Sequence, residues 1–225
     1  VCISKKIYTV FQEQYGLTDD ILIYKPNPIR LPKGFGKRTF NDNILQIGFA
    51  ARLEKMLKRT HLLPEIIDAC MFKKLDIRFN IAGEGQCLDF LKNYVSRNHL
   101  EDRVHILGWI SPTDMAGFWA KQDIYLNVSE SEGMSLSMLE AMACGCVPVV
   151  TDVSGVDDVI HNGENGFVVP VDRLIEIADK IEAINNDREL MHKVGIYNMN
   201  LIKEKFDVSD YAKWMLDNFD QWGGN

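Results

Sequence analysis

Residues 129–150 read SESEGMSLSMLEAMACGCVPVV, and the fold class follows from how this stretch is built. A short apolar run, residues 123–128, leads into it. Polar and acidic residues with one glycine come next. Residues 136–143 then place apolar side chains three and four apart, the period of a helix packed on one face. Gly145 ends that pattern, and residues 147–150, VPVV, form a second apolar run. The order is strand, loop, helix, strand. Glu132 lies in the loop, and Glu140 lies eight positions later in the helix. The loop carries the chain from a strand's carboxyl end to a helix's amino end. The backbone N–H groups of Gly133, Met134, Ser135 and Leu136 are expected to be free there for an anion or a hydroxyl.

The same alternation extends outward. Residues 44–50 (ILQIGFA), 75–82 (LDIRFNIA), 104–107 and 166–169 read as short buried strands. Helical patterns occupy 62–72, 87–98, 172–185 and 187–206, with a start at Ser111-Pro112 and a short helix over 154–161. Strands alternating with helices through short loops predict an α/β fold, a Rossmann-like parallel sheet with helices on both faces. Such sheets bind ligands beyond the carboxyl ends of their strands. The polar residues that break the apolar pattern fall there: Arg52, Lys58, Gly83–Gly85, Trp109, Ser129, Glu132 and Thr151.

Upstream, Ser4 caps a helix over 5–15 that Gly16 ends, between strand-like segments 1–4 and 21–24. Pro26, Pro28, Pro32, Gly34 and Gly36 make residues 25–43 the best linker. The last helix, 208–222, carries Tyr211, Trp214, Phe219 and Trp222. The expected division is 1–24 as the tail of a further domain, 25–43 as linker, 44–206 as the sheet domain and 207–225 as the closing helix.

Composition narrows the function. The 225 residues suit one large domain or one and a half, and 46% hydrophobic content fills a sizeable core. A net charge of -7 argues against nucleic acid as partner. No apolar run approaches the roughly 18 residues of a spanning helix. Five cysteines, an odd number with no framework, point to a reducing, cytoplasmic setting. Cys144 and Cys146 lack a second Cys/His pair at zinc spacing and read as small buried thiols. The histidines show no ligand spacing either, so no metal site is expected.

The words EGMSLSMLEAMACGCVPVV, followed by GVDDVI and NGENGFVV, resemble the E-x7-E signature of retaining glycosyltransferases of the GT-B fold, glycosyltransferase family four (glycosyl transferases group 1), with Glu132 and Glu140 as its glutamates. The resemblance runs from the serine of VCIS to the final helix. It implies a donor-binding carboxyl-terminal half, whose amino-terminal partner domain would carry most of the acceptor site. The isolated chain would then bind donor without turnover.

On that resemblance, Arg52 and Lys58 grip the diphosphate of a nucleotide-diphosphate sugar, most commonly a UDP-sugar, and no further cofactor is used. Their spacing of six departs from the more usual five, which leaves Lys55 as a second candidate. Glu132 contacts the donor sugar, and Glu140 accepts hydrogen bonds from the ribose diol, for which a carboxylate's two oxygens are suited. Gly133, Met134 and Ser135 offer backbone N–H groups to the sugar and distal phosphate. Trp109 and Ile110 lie near the base, although for the Trp109 indole plain packing is the first reading. Gly83 and Gly85 are counted with the donor site. Their G-x-G lacks the third glycine of a dinucleotide fingerprint and reads first as a tight strand-to-helix turn. The acceptor is a carbohydrate or lipid-linked group of cell-surface polysaccharide or glycolipid synthesis, with membrane association through the missing domain open. Two alternatives remain: a non-catalytic nucleotide-binding module, and a nucleotide-sugar epimerase of GT-B architecture.

Overall fold

A computed structural model describes residues 1–36, 38, 40 and 44–222, with no account of side chains 219–222. Six strands, β1 (Leu45–Ala50), β2 (Ile77–Ala82), β3 (Val104–Gly108), β4 (Ile124–Asn127), β5 (Val147–Thr151) and β6 (Phe167–Val169), form one sheet in the order β3-β2-β1-β4-β5-β6. Every pairing is parallel. The helices are α1 (Lys5–Tyr15), α2 (Leu63–Phe72), α3 (Leu88–Arg97), α4 (Met115–Trp119), α5 (Leu136–Ala143), α6 (Glu176–Asn186), α7 (Arg188–Lys205) and α8 (Val208–Trp222).

Alternation along β4 divides the core. Ile124, Leu126 and Val128 join one apolar cluster with residues of α2, α3 and α6. Tyr125 faces the opposite cluster with α4 and α5. A strand buried on both faces reads as a continuous apolar run, and this explains the sequence of β4 and β5. Met138, Leu139, Met142 and Ala143 of α5 are fully or nearly buried. Removing one such Leu or Met side chain to Ala typically costs about 2–5 kcal/mol.

The expected elements form with these differences. Segments 1–4 and 21–24 contribute only a single bridge, Cys2 to Tyr24, because neither meets a sheet to extend. Ser111-Pro112 opens a turn, and α4 begins three residues later, at Met115. The Ser111 hydroxyl bonds Thr113 Oγ1 at 2.8 Å and Asp114 Oδ2 at 2.5 Å rather than capping a helix. Residues 154–161 form successive turns and no helix. Gly155 sits there at φ +79°, a left-handed conformation that interrupts helical winding. The expected linker has no helix or strand among its described residues. It is held to the domain by Ile29, bridged to Asp207, and by the Arg38–Asp123 ion pair at 2.9 Å. Residues 37, 39 and 41–43 of that linker, 223–225 of the last segment, and the side chains of Phe219 and Trp222 lie outside the described residues.

Candidate active site

Strand order reverses between β1 and β4, which are neighbours in the sheet although β2 and β3 intervene in sequence. This reversal is where an open parallel sheet leaves a crevice, because the loops of the two strands diverge to opposite faces. The loop after β1 carries Arg52 and Lys58. The loop after β4 carries Glu132.

The two loops are stitched together. Glu130 N donates to Leu57 O at 2.8 Å. The Arg59 guanidinium donates to Val171 O at 2.8 Å and lies 3.2 Å from Glu130 Oε2. Between these contacts, the Lys58 ammonium donates to Glu132 Oε1. The same oxygen accepts from Ser129 Oγ at 2.8 Å and from Asn127 Nδ2 at 3.5 Å. Lys58 therefore enters the crevice, whereas Lys55 is exposed. Arg52 is not drawn into this pair: its side chain is 77% exposed, 3.8 Å from Glu54 Oε2.

Helix α5 starts at the mouth of the crevice. Ser135 is its N-cap and accepts from Met138 N at 3.3 Å. Among the described residues, the N–H groups of Gly133, Met134, Ser135 and Leu136 have no hydrogen-bond acceptor. The uncompensated helix end carries partial positive charge, so it suits an anion or a hydroxyl oxygen. The turn at Gly155 supports this end from one side, where a Cβ would meet Gly133 O at 2.6 Å. Lys5 N donates to Asp158 Oδ2 at 2.8 Å, so the acidic pair Asp157-Asp158 contributes a cap to α1.

Glu140, one turn further along α5, lines a cleft of about 460 Å³ with Leu136, Cys144, Thr113, Met115 and linker residues including Leu31. Burial pushes its carboxyl above the usual carboxylate range. It is placed to accept hydrogen bonds from neutral hydroxyl donors entering that cleft.

At the β1–β2–β3 side, three backbone bonds tie successive strand ends together: Ala51 N to Ala82 O, Leu53 N to Glu84 O and Gly83 N to Gly108 O. Gly83 has φ +134°, and a Cβ there would lie 1.9 Å from Ala51 O. The G-x-G is thus a tight turn that fixes the Arg52 loop. Gly85 packs similarly on Leu53. Trp109 is 63% exposed beyond β3, so the packing reading of its indole does not hold. Ile110 packs against the α4–α5 cluster.

Sequence reading missed Tyr125, Asn127 and Arg59. Tyr125 and Asn127 lie two apart and put polar groups on one face of β4, with Ser129 continuing the alternation beyond the strand, but the segment reads as an apolar run. Arg59 gave no signal beyond being another loop cation. All five cysteines are free and buried. No cluster able to hold a metal ion and no helix long and apolar enough to cross a membrane occur among the described residues.

A sheet of this order, with a cation, a carboxylate and a helix end at its switch point, is a Rossmann-like arrangement that solved GT-B glycosyltransferases share. The chain belongs to the family described as glycosyl transferases group 1, whose sequence profile matches residues 33–200. It is 27% identical over 203 residues to the N-acetyl-alpha-D-glucosaminyl L-malate synthase of Bacillus anthracis, covering 90% of this chain and 50% of the relative. It is 30% identical over 162 residues to the poly(ribitol-phosphate) alpha-N-acetylglucosaminyltransferase of Staphylococcus aureus, covering 70% of this chain and 32% of the relative. The chain thus spans half or less of these relatives' length. Among solved structures it resembles Anabaena HepE in complex with UDP-glucose, with a TM-score of 0.82 at 21% identity over 98% of this chain and 63% of that one. It also resembles a Staphylococcus aureus TarM complex with UDP, with a TM-score of 0.81 at 22% identity over 97% of this chain and 43% of that one.

Proposed function

We propose that this chain is the donor-binding half of a retaining glycosyltransferase of family four that uses a nucleotide-diphosphate sugar, UDP-sugar first among them. The observation that carries the reading is the convergence of Lys58, Glu132 and the α5 amino terminus on one crevice, with Glu140 a turn below. As the sugar–oxygen bond breaks, negative charge develops on the leaving diphosphate. Preorganised donors and cations that meet this charge lower the barrier, and a low-dielectric site strengthens each of them. Lys58 and Arg52 supply the cations, and the N–H groups of Gly133, Met134, Ser135 and Leu136 supply the dipoles. No metal is invoked. Glu132 holds sugar hydroxyls, Glu140 holds the ribose diol, Trp109 and Ile110 border the base, and the Gly83–Gly85 turn holds the Arg52 loop.

Residues 1–24 are read as the tail of an amino-terminal domain, 25–43 as the linker, 44–206 as the donor domain and 207–225 as the closing helix. Relatives about twice as long leave room for such a further domain. The acceptor, a carbohydrate or a lipid-linked group in polysaccharide or glycolipid synthesis, would sit on the other domain, and closure would bring it to the donor. The test is a screen of nucleotide sugars against the full-length protein, with the anomeric configuration of the product read by NMR. Transfer with retention is expected. Binding without transfer, inversion, or conversion of the sugar on its own nucleotide would each overturn the reading.

A further inference from the structure

We infer that Tyr125 and Asn127 are positioning residues that hold Glu132 and the amino end of α5 in register for sugar transfer. The inference rests on the functional reading above. Tyr125 and Asn127 are two apart on β4 and share the sheet face toward α5. Both are buried. Asn127 Nδ2 donates to the Tyr125 hydroxyl at 3.1 Å, and that hydroxyl lies 3.0 Å from Ser135 Oγ and 3.1 Å from Ser137 Oγ. The two serine hydroxyls are themselves 3.0 Å apart. The same Nδ2 also donates to Glu132 Oε1 at 3.5 Å, and at the other end of the amide Oδ1 accepts from Ser129 N at 2.7 Å. One continuous hydrogen-bonded chain therefore links the sugar-side carboxylate to the N-cap of the helix whose N–H groups face the phosphate.

Bulk packing does not require this chain. An apolar pair at positions 125 and 127 would fill the same face at lower desolvation cost, because buried polar groups stabilise only when every partner is present. What the chain adds is geometry. The loop over residues 129–135 has its ends fixed to a rigid strand by hydrogen bonds of defined direction. Thr151 Oγ1 also donates to Ser129 O at 2.7 Å. Burial raises the Tyr125 phenol, so it stays protonated as both donor and acceptor. Tyr125 and Asn127 touch no reacting atom and act through Glu132 and Ser135.

The test is a double-substitution cycle in the full-length enzyme. Tyr125→Phe keeps the ring against Trp119, whose centroid is 5.3 Å away, and removes only the hydroxyl. It should lower kcat at least about tenfold, since displacements near 1 Å can cost about 100-fold. Binding of the nucleoside monophosphate, held at Glu140, should stay within about threefold. In a Glu132→Gln background the same change should alter kcat by less than about twofold, because groups acting through one another are not additive. A lowered Tm with kcat per folded molecule unchanged, or full multiplicative losses in the cycle, would overturn the positioning role. Asn127→Ala runs the same cycle should Tyr125→Phe not fold. Failure of the unsubstituted enzyme to transfer any sugar would instead sink the functional reading and this inference with it.

Discussion

Lys58 and Glu132 form an ion pair across the switch point of the sheet, joining the loop after β1 to the loop after β4. Their side chains are 27% and 12% exposed, so the contact is shielded on most sides. The residues assigned to the donor's diphosphate and to its sugar thus neutralise each other in the free protein. On the proposed reading, donor binding would redistribute that pairing, with the ammonium turning toward the phosphates as the sugar hydroxyls engage Glu132.

Loss of either cation should be felt in the chemical step. Arg52→Ala or Lys58→Ala in the full-length enzyme should lower kcat at least about 100-fold, because one preorganised group at developing charge is typically worth about 2.7–4 kcal/mol. Arg52→Lys should restore only part of the loss, since a point charge cannot reproduce a bidentate fork. Steady-state kinetics with EDTA present checks the metal-free claim in the same assay: full activity is expected, and a loss restored by manganese or magnesium would contradict it.

Glu140 links affinity and stability to pH with opposite signs. Burial raises its folded pKa above the ordinary value of 4.5. Its protonated form therefore contributes stability that is fully present below about 4.5 and is lost as pH rises through the folded value. Glu140→Gln should stabilise the ligand-free protein at neutral pH, and the gain should vanish in acid. Nucleotide affinity should move the other way, weakening in Glu140→Gln at neutral pH and in the native protein as pH falls through the raised pKa. Thermal melts and calorimetric titrations across pH 4–8 would read both effects.

Arg38 and Asp123 are 4% and 6% exposed and joined at 2.9 Å, so each depends on the other. Desolvation raises the Asp123 carboxyl despite the guanidinium beside it and the Gln46 N–H it accepts. Arg38 also donates to Cys144 O at 2.9 Å, beneath the end of α5. Removing one partner strands a buried charge, and Arg38→Ala or Asp123→Ala should cost about 3–5 kcal/mol in urea unfolding. A loss below about 1 kcal/mol would show that water reaches the pair.

Gly155→Ala should destabilise the fold by more than about 1 kcal/mol, because φ +79° is unfavourable for a side chain and the new Cβ would collide with Gly133 O. The same push displaces the amino end of α5, so donor affinity should fall along with Tm. Unfolding curves and nucleotide-sugar titrations on the variant check the two effects together.

Much of this molecule is written in local patterns. The apolar runs from residue 44 onward, Ser4 before α1, Gly16 after it and the periodicity of residues 136–143 are short-range signals, and the sheet strands, α1 and α5 that they mark are present. The family words around Glu132 and Glu140 are local too, because one loop and one helix carry both glutamates. The sequence by itself therefore determined the α/β class, the parallel sheet and the site's principal candidates. Only the tertiary structure decided which side chains meet. Lys58 and Glu132 are 74 residues apart, and no periodicity relates them. Where a helix was expected over 154–161 there are turns: Ser4 holds Ser154, Lys5 N holds Asp158, and Gly155 takes a left-handed conformation with no room for a Cβ against Gly133 O. The polar pair Tyr125 and Asn127 was hidden for a related reason. A buried strand reads as apolar on both faces, and hydrogen bonds to α5 and Glu132 give those two residues their meaning.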